Sequence, residues 1–247
     1  MIKLLKYDLR RNATLLLGVT AALILCELVL LGSGASLDVK MAFTVIFFIV
    51  AAAIFTINNV NVFDYNIKSI SRRLLPVNTF SYVWASLVYG AINTLVLFLI
   101  GAGVTLYFAF HIDTSVLRDV HLPAYAWASL VLEAIFTTIY GFLTIYIIIA
   151  LARSITRKGV FWVGFLLFLS METVITFIEK LLFNQDTNQT FSLVTFHVEI
   201  INGVLASKPV TASTNWNALG VLGFEAILCV VYLFVIKWCV EKRIEAK

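Results

Sequence analysis

The sequence predicts an all-α integral membrane protein with six transmembrane helices and both termini on the cytoplasmic side. Composition is the first reason: 61% of the 247 residues are hydrophobic and only 13% are charged, about half the charged share of soluble domains. The second is length. Six apolar runs, 13–31, 41–62, 82–110, 126–150, 160–182 and 217–238, reach the roughly 20 residues a helix needs to cross a bilayer. The third is charge alternation. Of the 18 Lys and Arg, 14 fall in segments 1–12, 64–81, 153–159 and 237–247, against Lys40, Arg118, Lys180 and Lys208 in the intervening ones. Cytoplasmic loops carry the basic excess, so this split sets the orientation, and dropping one span would scramble it.

These spans use up most of the chain, so 1–247 reads as a single transmembrane domain. No soluble catalytic domain fits beside them, and no G-x-x-x-x-G-K-[ST] phosphate loop occurs, so any ATP that powers transport must bind to another chain. Neither a G-x-S-x-G elbow nor an H-E-x-x-H pair is present, and all 3 His lie in predicted outer segments, which speaks against a membrane enzyme. Cys26, Cys229 and Cys239 have no metal-like spacing and read as packing residues. The net charge of +4 is accounted for by the inside loops and calls for no nucleic acid. Ser33-Gly34-Ala35 resembles a cleavage site, but the apolar core before it exceeds the ~7–15 residues of a signal peptide, so the first span is read as uncleaved.

Taken in order, residues 1–12 come first. Ile2, Leu5 and Leu9 share one stripe of a helical wheel and Lys3, Lys6 and Arg10 a neighbouring one, which predicts an amphipathic helix in the inner interface, cations toward anionic headgroups. A frayed charged tail is the alternative. The second span ends in Asn58, Asn59 and Asn61, amides suited to bonding across helices. Segment 64–81 follows, with Lys68, Arg72 and Arg73 against Asp64. Asn66, Ser69 or Ser71 are candidate caps of a short helix, and Pro76 would stop it by removing a backbone donor and pushing Leu75 out of the helical region. A basic face beside Ile67, Ile70 and Leu74 suits docking onto another protein; a solvated loop that merely sets topology is the other reading, and charge alone does not separate them.

The third span offers Ser86 and Gly90 as a close-packing face, with Gly101 and Gly103 loosening its outer half. Beyond it, His111, Asp113, Asp119 and His121 are the ordinary mix of a solvated loop, and no metal site is expected. Segment 153–159, with Arg153, Arg157 and Lys158, is a second basic inside turn. In the outer segment 183–215, Val194, Val198, Ile201 and Leu205 follow helical spacing. They predict a short re-entrant or interfacial helix within 191–206, too short to span. All 3 prolines fall in loops, so the spans are expected to be unbroken, unlike the broken helices of many secondary transporters.

Acids stand inside the spans: Glu27, Glu133, Glu172 and Glu225, with Glu179 near the outer surface. A charged residue at a helix centre costs ~2.5–3.5 kcal/mol on insertion scales, so such acids are expected to meet water, a partner helix or a proton. Helical spacing sets Glu133, Thr137, Tyr140 and Thr144 on one stripe, Glu172, Thr176 and Glu179 on another, and Glu225, Cys229 and Tyr232 on a third, while Thr20 and Glu27 share a face of the first span. One reading is an acidic vestibule for cationic or amphipathic substrates. The other is structural, with hydrogen-bonded acids joining the bundle.

Met-Ile-Lys-Leu-Leu-Lys-Tyr-Asp-Leu-Arg-Arg-Asn at the start, and Ser-Ile-Ser-Arg-Arg-Leu-Leu-Pro-Val-Asn-Thr-Phe-Ser-Tyr over 69–82, resemble two elements of the membrane subunits of type-2 ATP-binding-cassette (ABC) exporters. The first is similar to that family's interfacial opening helix and the second to its coupling-helix loop, centred on Leu75, Pro76 and Val77. Six spans, both ends inside and an extra outer helix before the last span also fit. A basic residue often found soon after the Leu-Pro element is missing, with Ala85 in that region. The resemblance implies a permease that binds no cofactor itself. It would work with a second, identical or paralogous, membrane subunit and with cytoplasmic ATPases holding ATP and Mg. ATPase closure would push on Lys68, Ser71, Arg72, Arg73, Leu75 and Pro76, and more weakly on Arg153, Arg157 and Lys158. A bacterial plasma membrane is the expected location. The competing reading is a self-contained secondary carrier or channel that uses the intramembrane glutamates.

Overall fold

The computed structural model describes residues 2–69, 78–111, 124–156, 158–183, 194–197, 200–201, 204–205, 211–214 and 216–243. Among these residues the helices are α1 (Ile2–Gly32), α2 (Leu37–Lys68), α3 (Thr79–His111), α4 (Ala124–Ile155), α5 (Val160–Phe183) and α6 (Trp216–Lys242). All six are long and apolar enough to cross a membrane, and the chain is a multi-pass membrane protein. Hydrocarbon offers the backbone no partners, so each span must close its own hydrogen bonds as a helix. The prolines obstruct none of this, since Pro76, Pro123 and Pro209 all fall outside the bounds of these six helices.

The helices run past the apolar stretches at several ends. α1 is one helix of 31 residues, so residues 2–12 continue directly into the first span rather than forming a separate interfacial helix. The reason is packing. Leu4 and Asp8, not the apolar stripe of Ile2, Leu5 and Leu9, form the buried face, and Ile2 is 77% exposed. α2 extends to Lys68 because Phe63, Asn66 and Ile67 in its last turns are buried; Asn66 is an interior residue and not a cap. Ser69 ends the helix, its amide donating to the Tyr65 carbonyl at 3.1 Å.

The chain divides into two compact units, residues 1–111 with 240–247, and 112–239. In the first, α1, α2 and α3 pack pairwise around Phe55, Val62, Phe63, Val83 and Tyr89. Gly101 does not loosen α3; it lies in a continuous helix, and a Cβ there would meet the Phe48 ring at 3.5 Å. In the second unit α4 packs on α5. Ala126 meets Ala218 and Leu222, and Phe183 meets Phe224 edge-on, 6.5 Å between ring centroids. The turn into α5 passes through Gly159 at φ 77°, a conformation glycine adopts without penalty, and the Gly159 carbonyl accepts from the Val163 amide at 3.2 Å.

Among the described residues of 191–206, the expected helix is not found. Its described residues form β1 (Val194–His197), β2 (Ile200–Ile201) and β3 (Val204–Leu205), with β4 (Thr211–Thr214) beyond. β1 pairs antiparallel with β4, and β2 with β3, Ile201 opposite Val204. Between those two residues the sequence reads Asn202-Gly203, the dipeptide that two-residue hairpin connections favour.

A Cβ on Gly220 would stand 2.6 Å from the Phe183 ring, whereas one on Gly223 would meet nothing within 4 Å. Gly220→Leu is therefore expected to destabilise the second unit by roughly 1–3 kcal/mol through overpacking. Gly223→Ala should leave it unchanged or slightly more stable, and thermal unfolding in detergent compares the two.

Candidate functional site

Two constellations in the structure have the makings of a working site, one in each unit. The first is where the chain leaves α2 and re-enters α3. Leu4, Asp8 and Arg11 occupy one face of α1 by their i, i+4, i+7 spacing. Leu4 packs with Tyr82 and Ala85 at the start of α3. The Asp8 carboxylate is fully buried. Its Oδ2 accepts from Asn66 Nδ2 at 3.0 Å, and the same nitrogen lies 3.3 Å from Ser86 Oγ. An ionised carboxylate only accepts, so the Asn66 amide must present its nitrogen to Asp8. Arg11 approaches the Asp8 Oδ1 at 4.0 Å and lays its guanidinium 4.0 Å from the Tyr65 ring centroid. Farther along the α2–α3 seam, Asn58 donates to the Tyr89 hydroxyl, with Asn59 and Asn93 buried beside them. Thr79, in the first turn of α3, donates to Glu241 Oε1 at 2.8 Å.

Both flanks of segment 70–77 are thus rooted in buried polar contacts. Of the residues assigned to coupling, Lys68 is described, donating to Asp64 Oδ2 at 3.3 Å. Ser71, Arg72, Arg73, Leu75 and Pro76 lie outside the described residues, as does Arg157. Arg153 stands in the last turn of α4, part-buried, and Lys158 is exposed before α5, its carbonyl accepting from the Thr156 hydroxyl.

The second constellation lies among α4, α5 and α6. Glu133, Glu172 and Glu179 are near enough to Glu225 for their charges to act on it, and Tyr140 lies within range of Glu172 and Glu225. Tyr140 also stacks on Tyr232, 6.2 Å between ring centroids. All four glutamates are half-buried, Thr144 is buried, and Thr137 and Thr176 are exposed. Several neighbouring hydroxyls fold back onto their own helix: Thr138 onto the Ala134 carbonyl, Thr144 onto Tyr140 and Thr173 onto Leu169, at 2.7–3.0 Å. This satisfies them without a second helix. Carboxyls gathered in a low-dielectric setting attract a cation, and the paired tyrosine faces add a surface that does the same.

Glu27 belongs to the first unit and is 3% exposed. Thr44 donates to its Oε2 at 2.9 Å, and its Oε1 has no donor among the described residues. Nearby, the Leu31 carbonyl, one of the orphan acceptors at the end of α1, takes hydrogen bonds from Lys40 Nζ at 2.8 Å and the Tyr107 hydroxyl at 3.2 Å. Lys40 therefore caps a helix as well as contributing to loop charge. Among the described residues no group of three or more His, Cys, Asp or Glu is placed to hold a metal ion. His111 stacks on Tyr107, 4.1 Å between centroids, and residues 112–123, which carry Asp113, Asp119 and His121, lie outside the described residues.

Sequence reasoning missed Asp8 and the role of Asn66. A lone acid among Lys3, Lys6, Arg10 and Arg11 reads as a solvated charge. The usable signal was that Asp8 shares its face with Leu4, facing away from Lys3 and Lys6. The chain matches no protein-family model, no curated protein and no solved structure.

Proposed function

We propose that this chain is the membrane-spanning subunit of a type-2 ABC exporter, with both termini in the cytoplasm of a bacterial cell. The observation that carries the proposal is the setting of segment 64–81. It is basic and proline-centred, it joins two span-length helices, and the ends of those helices are locked by Asp8, Asn66, Ser86 and Thr79. A lever needs rigid roots: a push on a segment so anchored turns into tilt of α2 and α3 instead of local bending. In this reading cytoplasmic ATPases grip 64–81 and, more weakly, 153–159. A second membrane subunit completes the pathway. The carboxyls and tyrosines of α4, α5 and α6 receive a cationic or amphipathic peptide, lipid or drug.

The test is capture followed by energetics. The tagged chain, solubilised from its own membrane, is expected to bring down a nucleotide-binding ATPase, and flux in inverted vesicles should stop on ATP depletion and survive a protonophore. The four-carboxyl cluster favours a second reading, a self-contained proton- or cation-coupled carrier; flux that survives ATP depletion and stops with the protonophore would select it. Within the first reading, Glu→Gln at 133, 172 and 225 is expected to cut transport of a cationic substrate roughly tenfold per lost charge–charge contact. Membrane levels should hold steady. Unchanged transport at normal levels would remove the acidic pathway.

A further inference from the structure

The buried contact of Asp8 with Asn66 makes a statement about α1 that the coupling reading does not contain. We infer that Asp8 is a positioning residue which fastens the first turns of α1 to both roots of segment 70–77, so that α1, the end of α2 and the start of α3 move as one body. Three contacts carry this. Asn66 binds Asp8 and Ser86 through one nitrogen, joining all three helices at a single atom. Leu4 packs on Tyr82 and Ala85 one turn away. Arg11 closes the same face by spanning Asp8 and Tyr65. A carboxylate taken out of water is destabilising when a hydrogen-bond donor is removed from it, so pulling α1 off the roots costs the bond from Asn66 to Asp8. The functional part of the inference rests on the exporter reading; the mechanical part does not.

The experiment uses the full chain in membranes with its captured ATPase, Cys26, Cys229 and Cys239 replaced by alanine, and Leu4→Cys with Ala85→Cys as a reporter for a short thiol-to-thiol crosslinker. The reporter is expected to crosslink readily, and the crosslinked chain to keep its transport, since the two positions never separate. Asn66→Leu should slow crosslinking several-fold and cut transport about tenfold, a loss within the range for a buried carboxylate deprived of a donor, while the ATPase is still captured. The exchange Asp8→Asn with Asn66→Asp restores an amide–carboxylate pair of opposite polarity and should keep both readouts within about threefold of the parent. If Asn66→Leu does not accumulate, the exchange chain decides alone. Parent-like crosslinking and transport in Asn66→Leu, an exchange that retains neither readout, or crosslinking that halts transport each overturns the inference. Should no ATPase be captured, the exporter reading fails by itself, because the crosslinking arm needs no nucleotide and still reports on Asp8.

Discussion

Replacing Asn66 by leucine is expected to weaken the first unit by about 3 kcal/mol, the upper end for losing a hydrogen bond to a buried charged group. The leucine fills a similar volume, so the loss is electrostatic. Asp8 Oδ2 loses its 3.0 Å donor, and Arg11 at 4.0 Å is too far to replace it with a hydrogen bond. Ser86→Ala should cost far less, about 1 kcal/mol, because Asn66 keeps Asp8 when its second, 3.3 Å contact goes. Tyr89→Phe removes the hydroxyl that accepts from Asn58 and belongs with the mild variants. Unfolding in mixed micelles titrated with a denaturing detergent ranks the three. A leucine variant as stable as Ser86→Ala would mean that the buried contact contributes little.

The largest functional effect is expected from reversing the charge of Lys68, Arg72 and Arg73 together. Like charges set against a partner's acidic surface cost several kcal/mol, which corresponds to a loss of ATPase capture on the order of a thousandfold. Lys68 needs a control, because it also donates to Asp64. Lys68→Gln alone should leave capture within about threefold, as exposed pairs contribute little. The readout is capture across a salt series. Native-level capture by the triple glutamate variant would reduce these cations to topology signals.

Six span-length helices were legible because hydropathy and length are summed over twenty residues and tolerate local error. Ends were less legible, since they are set by single contacts. α2 continues to Lys68 for the sake of Phe63, Asn66 and Ile67, and α1 runs unbroken through 2–12 because Asp8 meets a residue 58 positions away. The region 194–205 shows two periods competing in one stretch. Val194, Val198, Ile201 and Leu205 satisfy a helical repeat, yet the same window is rich in β-branched residues and holds Asn202-Gly203 between two apolar pairs. Turn chemistry is the more specific signal there. The acid stripes of α4, α5 and α6 could be placed on helix faces from spacing alone. That four of the acids share one neighbourhood while Glu27 bonds Thr44 could not, because helix order around a bundle is a property of packing.

The lengths of α2 and α3, 32 and 33 residues, amount to roughly 48–50 Å at 1.5 Å per residue, against about 30 Å of hydrocarbon. The surplus is taken up as overhang or tilt. The amides Asn58, Asn59 and Asn66 occupy the last third of α2, the part that a thin bilayer leaves uncovered. Lipids with longer acyl chains are expected to draw that stretch into oil, where an amide that lets go of its mate finds no water, and to stiffen the seam. Shorter chains should let water in and soften it. Acyl-chain length thereby becomes a rheostat for this protein, set by the host membrane.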